Sequence, residues 1–257
     1  MNRGESGRGD YRTILGINFF SGSAKAAVDR MEHGGLLVVP AAPALKDLAC
    51  NPAYREALEQ ADLCIADSSF MVLLWNLLER DSIHKLSGLA YLRELLSRPG
   101  LREHPEQVLW VMANPRSAQR NLKWLRRQGI FVPEENVCIA PVYGKVIEDS
   151  ALLKKIGRLQ PRHIFLTIGG GTQERVGLYI KKNLNYAPSI HCIGAAIAFL
   201  SGDQVQIPVW ADHAGLGWLY RCVSAPQRYV PRYWEARKLI PLMLRYRSRM
   251  PLLEARG

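Results

Sequence analysis

The sequence predicts a doubly wound, mostly parallel α/β sheet with a basic helical appendage at its C-terminal end. Short β-rich runs alternate with helical patterns over the first 212 residues, and several of those runs are apolar throughout, as strands covered on both faces must be. Beyond residue 212 no further strand pattern occurs, and short basic helices interrupted by proline take its place. The strand-like runs fall at 13–17, 36–39, 63–66, 108–112, 137–141, 163–168 and 190–197. Helical covers are expected near 23–32, 43–60, 68–79, 116–128, 147–158 and 173–185. The long connection 80–106 carries a helical stretch of its own at 91–97, and Pro226, Pro231, Pro241 and Pro251 are expected to break the helices of the appendage. The expected partition is a disordered polar lead at 1–10, one domain at 11–212 and the basic helical appendage at 213–257.

With 257 residues, 48% of them hydrophobic and 22% charged, the chain can build one large core plus an appendage. Residues 1–10 hold three glycines, two arginines and two acids and have no apolar stretch, unlike a signal peptide. No run of eighteen apolar residues occurs, so no bilayer-spanning helix is expected and the protein is placed in the cytoplasm. Five cysteines, odd in number, far apart and without Cys-x-x-Cys spacing, read as buried thiols in a reducing compartment rather than disulfides or a zinc ribbon. The histidines show no His-x-x-x-His spacing and there is no Asp-x-Asp pair, so the chemistry expected needs no metal and no cofactor.

The charge is unevenly spread. Residues 218–257 carry nine Lys/Arg against two acids, a net +7 of the total +11, with Trp, Tyr and Leu interleaved. Such a segment suits an anionic lipid surface or a diphosphate. No nucleic-acid motif accompanies it, and nucleic acid is not expected as a partner.

In open α/β sheets ligands gather outside the carboxyl ends of the strands. Three turns there carry chemistry. Asp67, in Ala66-Asp67-Ser68-Ser69, can act as a general base or cap the helix that follows. The turn Gly169-Gly170-Gly171-Thr172-Gln173-Glu174 can hold an anion on backbone amides or be a simple glycine-tolerant turn. It is neither a dinucleotide fingerprint nor a P-loop. In Ala140-Pro141-Val142-Tyr143-Gly144 the Tyr143 ring can stack on a base or sugar, or be a buried turn tyrosine.

These turns, in order along the chain with several further elements, carry a resemblance. The elements are Ile14-Leu15-Gly16, Arg55-Glu56-Ala57-Leu58, Ala61-Asp62-Leu63, Ser87-Gly88, Tyr143-Gly144, Gln173-Glu174, Phe199-Leu200-Ser201-Gly202, Pro208-Val209-Trp210, Gly215-x-x-Trp218-Leu219-Tyr220-Arg221 and Pro226-x-Arg228. Over roughly residues 12–235 the chain resembles the WecG/TagA/CpsF glycosyltransferase family. The resemblance implies a Rossmann-like core and an inverting, metal-independent hexosyltransferase. Such an enzyme moves an N-acetylmannosamine-type sugar from a UDP donor to a polyprenyl-diphosphate-linked acceptor for cell-surface polysaccharide. Asp67 would be the base. Ser87, Gly88, Tyr143, Gly144, Gly169, Gly170, Gln173, Glu174, Arg221 and Arg228 would bind the donor, the arginines meeting its diphosphate.

The chain departs from the family at polar positions: Pro40-Ala41-Ala42 for Thr-x-Asn, Ala90 or Leu89 for Asp, Gly171 and Thr172 for Pro and Lys, Ala198 for Asp, Gln206 for Arg, and Gly217 for Glu. Changed specificity is one consequence. The alternative function is a non-catalytic sugar-nucleotide or lipid-binding partner of a polysaccharide assembly complex. Arg237, Lys238, Arg245, Arg247 and Arg249, with the apolar residues between them, are expected to contact an anionic membrane on its inner, cytoplasmic face. Homo-oligomerisation is left open.

Overall fold

The computed structural model describes residues 10–203 and 217–253. Eight strands form one sheet: β1 (Tyr11–Ile14), β2 (Ile17–Phe20), β3 (Gly35–Val38), β4 (Leu63–Ile65), β5 (Val108–Met112), β6 (Val137–Ile139), β7 (His163–Thr167) and β8 (Ser189–Cys192). Their order across the sheet is β1-β2-β4-β3-β8-β7-β5-β6. Among the described residues only the β1–β2 pair is antiparallel. This is the mixed, mostly parallel α/β architecture expected of a Rossmann-like glycosyltransferase.

Alternation along each strand sends side chains to two separate cores. Leu36, Val38, Cys64, Val111, Leu166 and Cys192 face one, Leu37, Val39, Ile65, Trp110 and Phe165 the other. The first core is covered by α2 (Ala42–Leu45), α3 (Pro52–Glu59), α4 (Ser69–Glu79), α8 (Ser150–Leu159) and α9 (Gln173–Asn183). The second is covered by α1 (Ala24–Met31), α5 (Gly88–Ser97), α7 (Pro115–Arg127) and α10 (Ala196–Ser201), with the short α6 (Gly100–Glu103) adding Leu101.

Four expectations change. The run 13–17 is not one strand: Leu15 and Gly16, with φ of 51° and 78°, form a two-residue hairpin turn between β1 and β2. The helix expected at 43–60 is α2, a 3₁₀ turn and α3, because Pro52 starts a new helix whose cap, Asn51, accepts the Tyr54 N–H. The apolar run 190–197 ends as a strand at Cys192, turns through Gly194 (φ 55°) and continues as α10. Pro231 lies inside a helix instead of breaking one, and Pro241 sits in the first turn of another.

The C-terminal helices are α11 (Gly217–Ser224), α12 (Pro226–Ala236) and α13 (Leu239–Tyr246). Leu239 and Met243 are 0% exposed and join the first core with Ala236. Burying each stabilises the fold by about 1.5–3 kcal/mol. The chain after α13 is also tied down: Leu15 and Gly16 donate their N–H groups to the carbonyls of Arg247 and Ser248, and Arg55 donates to that of Pro251. These two apolar residues, read from sequence as part of a lipid-facing run, face protein.

Candidate active site

β4 carries the chain to the C-terminal edge of the sheet, where it turns at Asp67 into α4. Ser68 is the cap of α4, its hydroxyl accepting the Met71 N–H at 3.2 Å. Asp67 is used differently. Its Oδ1 accepts the N–H of Gly88, the first residue of α5, at 3.0 Å, and among the described residues no donor takes Oδ2. The half-buried carboxylate therefore has one oxygen held and one directed to solvent or ligand.

Ser87 caps α5, accepting the Ala90 N–H at 3.0 Å. A Cβ on Gly88 would stand 3.2 Å from Val39 Cγ1 and 3.6 Å from the Ile193 carbonyl oxygen. Gly88 thus rests over the gap between β3 and β8. After β3 the chain crosses to the first core and after β8 to the second, so this gap is the topological switch point where α/β folds place ligands.

The adjacent turns are wired together through Gln173 and Glu174. Gln173 Oε1 accepts the Gly194 N–H at 2.7 Å, and its Nε2 donates to the Cys192 carbonyl at 3.1 Å and to Glu174 Oε1 at 3.2 Å. Glu174, 0% exposed, accepts the Gly171 N–H on Oε2 at 2.7 Å. Burial pushes its carboxyl up to about 7, against the pull of these hydrogen bonds and of Arg175. The Glu174 carboxylate thus already occupies the amide of Gly171, whereas Gly169 and Gly170 are exposed and a Cβ on either would meet nothing within 4 Å.

Arg175 draws in the loop after β6. Its Nε donates to the Gly171 carbonyl at 3.0 Å and its Nη1 to the carbonyls of Gly144 and Lys145 at 3.1 and 2.9 Å. Tyr143 in that loop donates its hydroxyl to Asp149 Oδ2 at 2.7 Å. Burial, then Asp149, raise its phenol above the ordinary value. A surface cleft of about 400 Å³ beside the ring is lined by Val111, Cys138, Tyr143, Asp149 and Lys155.

Asp67, Ser87, Gly88, Tyr143, Gly144, Gly169, Gly170, Gln173 and Glu174 thus all lie along one edge of the sheet. From β4 to β7 there are three strand spacings, so Asp67 and the Gly169 turn stand roughly 14 Å apart. Among the described residues no group of three or more His, Cys, Asp or Glu side chains could hold a metal ion.

The family model described as the glycosyl transferase WecG/TagA/CpsF family matches residues 12–252. The chain belongs to this family. It is also similar to proteins named N-acetylglucosaminyldiphosphoundecaprenol N-acetyl-beta-D-mannosaminyltransferase from Staphylococcus aureus strains NCTC 8325 and COL. Identity is 20% over 219 residues, covering 82% of this chain and 83% of each relative. For this member of the WecG/TagA/CpsF family, Arg221 and Arg228 fall on α11 and α12, but their side chains lie outside the described residues, as do Gln206 and the 208–210 and 215–216 elements. Pro40 to Ala42 lead from β3 into α2, Ala90 lies in the first turn of α5, Thr172 precedes α9 and Ala198 is buried in α10.

Three site residues were not singled out from sequence. Arg175 had a signal, since a cation in the first turn of a helix opposes the helix dipole and calls for compensating acceptors, here three carbonyls. Gly194 was hidden inside an apolar run. Tyr54 is buried, its hydroxyl without a hydrogen-bond partner among the described residues; burial and the neighbouring Glu174 hold its phenol well above the ordinary value.

The basic residues of the tail differ in their surroundings. The Arg237 guanidinium lies 3.9 Å from the centre of the Trp234 ring, and Lys238 pairs with Glu235 at 2.7 Å. Arg245 stacks 5.3 Å from the Tyr246 ring centre, Arg247 pairs with Glu79 at 2.8 Å and Arg249 is exposed. No helix among the described residues is long and apolar enough to cross a membrane.

Proposed function

We propose that this glycosyltransferase moves a sugar of the N-acetylmannosamine type, or a related one, from a UDP donor to a polyprenyl-diphosphate-linked acceptor. The product feeds cell-surface polysaccharide, and the protein works peripherally at the inner face of the cytoplasmic membrane. The observation that carries this reading is Asp67 at the switch-point edge, one oxygen oriented by Gly88 and the other available, roughly 14 Å from the Gly169 turn.

In this reading Oδ2 of Asp67 takes the proton of the acceptor hydroxyl as that oxygen attacks the anomeric carbon. The bond from that carbon to the UDP oxygen breaks on the opposite face, which inverts the configuration. The donor lies along the edge past Ser87-Gly88 toward Gly169, Gly170, Gln173 and the Tyr143-Gly144 loop. Arg221 and Arg228 meet the charge of the departing diphosphate, with no metal required. The replaced polar groups at Pro40, Ala42, Ala90, Thr172 and Ala198 give the protein a donor or acceptor different from its relatives', because a buried polar site discriminates strongly by matching groups. The appendage 213–257 then has two parts, 215–228 completing the donor site and 232–249 resting on lipid through Arg237, Lys238, Arg245, Arg247 and Arg249.

The test is a panel of UDP-sugars with polyprenyl-diphosphate-linked acceptors in detergent and chelator, the anomeric configuration of the product being read by NMR. One donor transferred with inversion supports the proposal. Donor binding by calorimetry without turnover of any donor would instead identify a non-catalytic sugar-nucleotide-binding partner.

A further inference from the structure

The surface next to Asp67 carries an apolar stripe that neither the core nor the site uses. α4 begins two residues after Asp67 and contains no charged side chain before Glu79 at its last position. One of its faces packs into the first core through Met71, Val72 and Trp75. Another exposes Phe70, Leu73 and Leu77, the two leucines at 70% and 75%, a helical spacing that lines them on one side. α13 packs alongside and exposes Ile240 and Leu244, the latter at 52%. Five large apolar side chains on two adjacent helices exceed the scattered exposure of an ordinary soluble surface and mark an interaction site.

The rim of this platform decides the occupant. Arg80 follows α4, and Arg245 and Arg249 lie at the end of α13 and just beyond it; all three are exposed and pair with no acid among the described residues. The one acid of α4, Glu79, is neutralised by Arg247. An uncharged apolar stripe rimmed by cations matches an anionic bilayer, with apolar groups entering the acyl boundary and cations at the headgroups. A second copy docking on the same face by two-fold symmetry would bring two cationic rims together.

We infer that α4, through Phe70, Leu73 and Leu77, inserts into the surface of an anionic membrane, with α13 beside it. The inference rests on the peripheral-membrane part of the function proposed above and changes its emphasis: the tail arginines supply attraction, and α4 supplies depth. Because Asp67 lies two residues before the start of α4, insertion places the base at the headgroup level, where a lipid-linked hydroxyl is presented.

The test is co-sedimentation of the full-length protein with vesicles of phosphatidylglycerol and phosphatidylcholine in equal parts. Wild type is compared with Leu73→Glu/Leu77→Glu and with Arg245→Gln/Arg249→Gln. Both leucines are exposed, so the charged variant keeps the wild-type circular dichroism and melting profile. The expected result is at least a tenfold loss of vesicle binding for the leucine variant that persists at high salt. The arginine variant is expected to lose binding in a salt-dependent way. Wild-type binding matched by the leucine variant and lost only in the arginine variant would overturn the role of α4 and leave peripheral binding intact. No wild-type binding to these vesicles would overturn both. A leucine variant that turns a dimer into a monomer by light scattering, with vesicle binding unchanged, would make the face a protein interface and overturn the inference. Vesicle binding through α4 by a protein inactive on every donor would support the inference while the transfer reading failed.

Discussion

Glu174 is a fully buried carboxyl, and Glu174→Gln isolates what that burial costs. Burial raises its pKa from the ordinary 4.5 to about 7. Between those values the unfolded chain has released the proton and the folded chain still holds it. Stability contributed by this group is therefore fully present below pH 4.5 and is lost as pH rises through 7. A shift of that size corresponds to roughly 3 kcal/mol. The glutamine keeps an acceptor for the Gly171 N–H, but its amide nitrogen stands where Oε1 accepted from Gln173, an offset of about 1 kcal/mol that does not vary with pH. Urea unfolding of both proteins from pH 4.5 to 8 gives the difference directly. The wild type should lose roughly 3 kcal/mol relative to Glu174→Gln across the range. A difference independent of pH would show that Glu174 ionises as freely in the fold as in water and would refute its placement as a buried, proton-holding link between the β7 and β8 turns.

Two further perturbations test other parts of the account. Leu239→Ala should cost about 2–5 kcal/mol in chemical denaturation, because the residue is fully buried between the tail and the first core; a loss below about 1 kcal/mol would mean that α13 is not docked. His163, whose Nδ1 lies 3.1 Å from His191 Nε2, is lowered to about 4 by burial and then by Arg162. Its neutral form is the folded one, so stability is full above pH 6.5 and falls by roughly 3 kcal/mol as pH drops toward 4. His163→Asn should flatten that acid limb relative to wild type, and an unchanged limb would contradict the buried neutral pair.

The central strands were legible because a strand covered on both faces needs a mainly apolar run: 36–39, 63–66 and 108–112 are apolar throughout, and 163–168 is broken only by His163 and Thr167. Where apolar runs were not strands, a local backbone feature had the decision. Leu15-Gly16 makes a turn in the middle of one, and Gly194 splits another into the end of β8 and the start of α10. The strand-end rule brought Asp67, the Gly169 turn and Tyr143 to one edge, since it depends only on topology. It could not show that Ser68 rather than Asp67 caps α4, or that Arg175 staples the β6 loop to the β7 turn, because those depend on which of several nearby acceptors a side chain reaches. Leu239 and Met243 illustrate the limit for the tail: an amphipathic pattern reads the same whether its apolar side meets lipid or protein.

The account turns on Asp67 as the base. Asp67→Asn retains an oxygen to accept the Gly88 N–H and removes the group that takes the proton, so fold and donor binding should persist. General-base catalysis contributes about 10²–10⁴-fold. Transfer of the best UDP-sugar to a polyprenyl-diphosphate-linked acceptor, measured with calorimetry of UDP binding on the same preparations, should show kcat reduced by at least about a hundredfold with UDP affinity unchanged. Equal kcat in the two proteins would contradict the assignment of Asp67 and with it the mechanism proposed for this edge of the sheet.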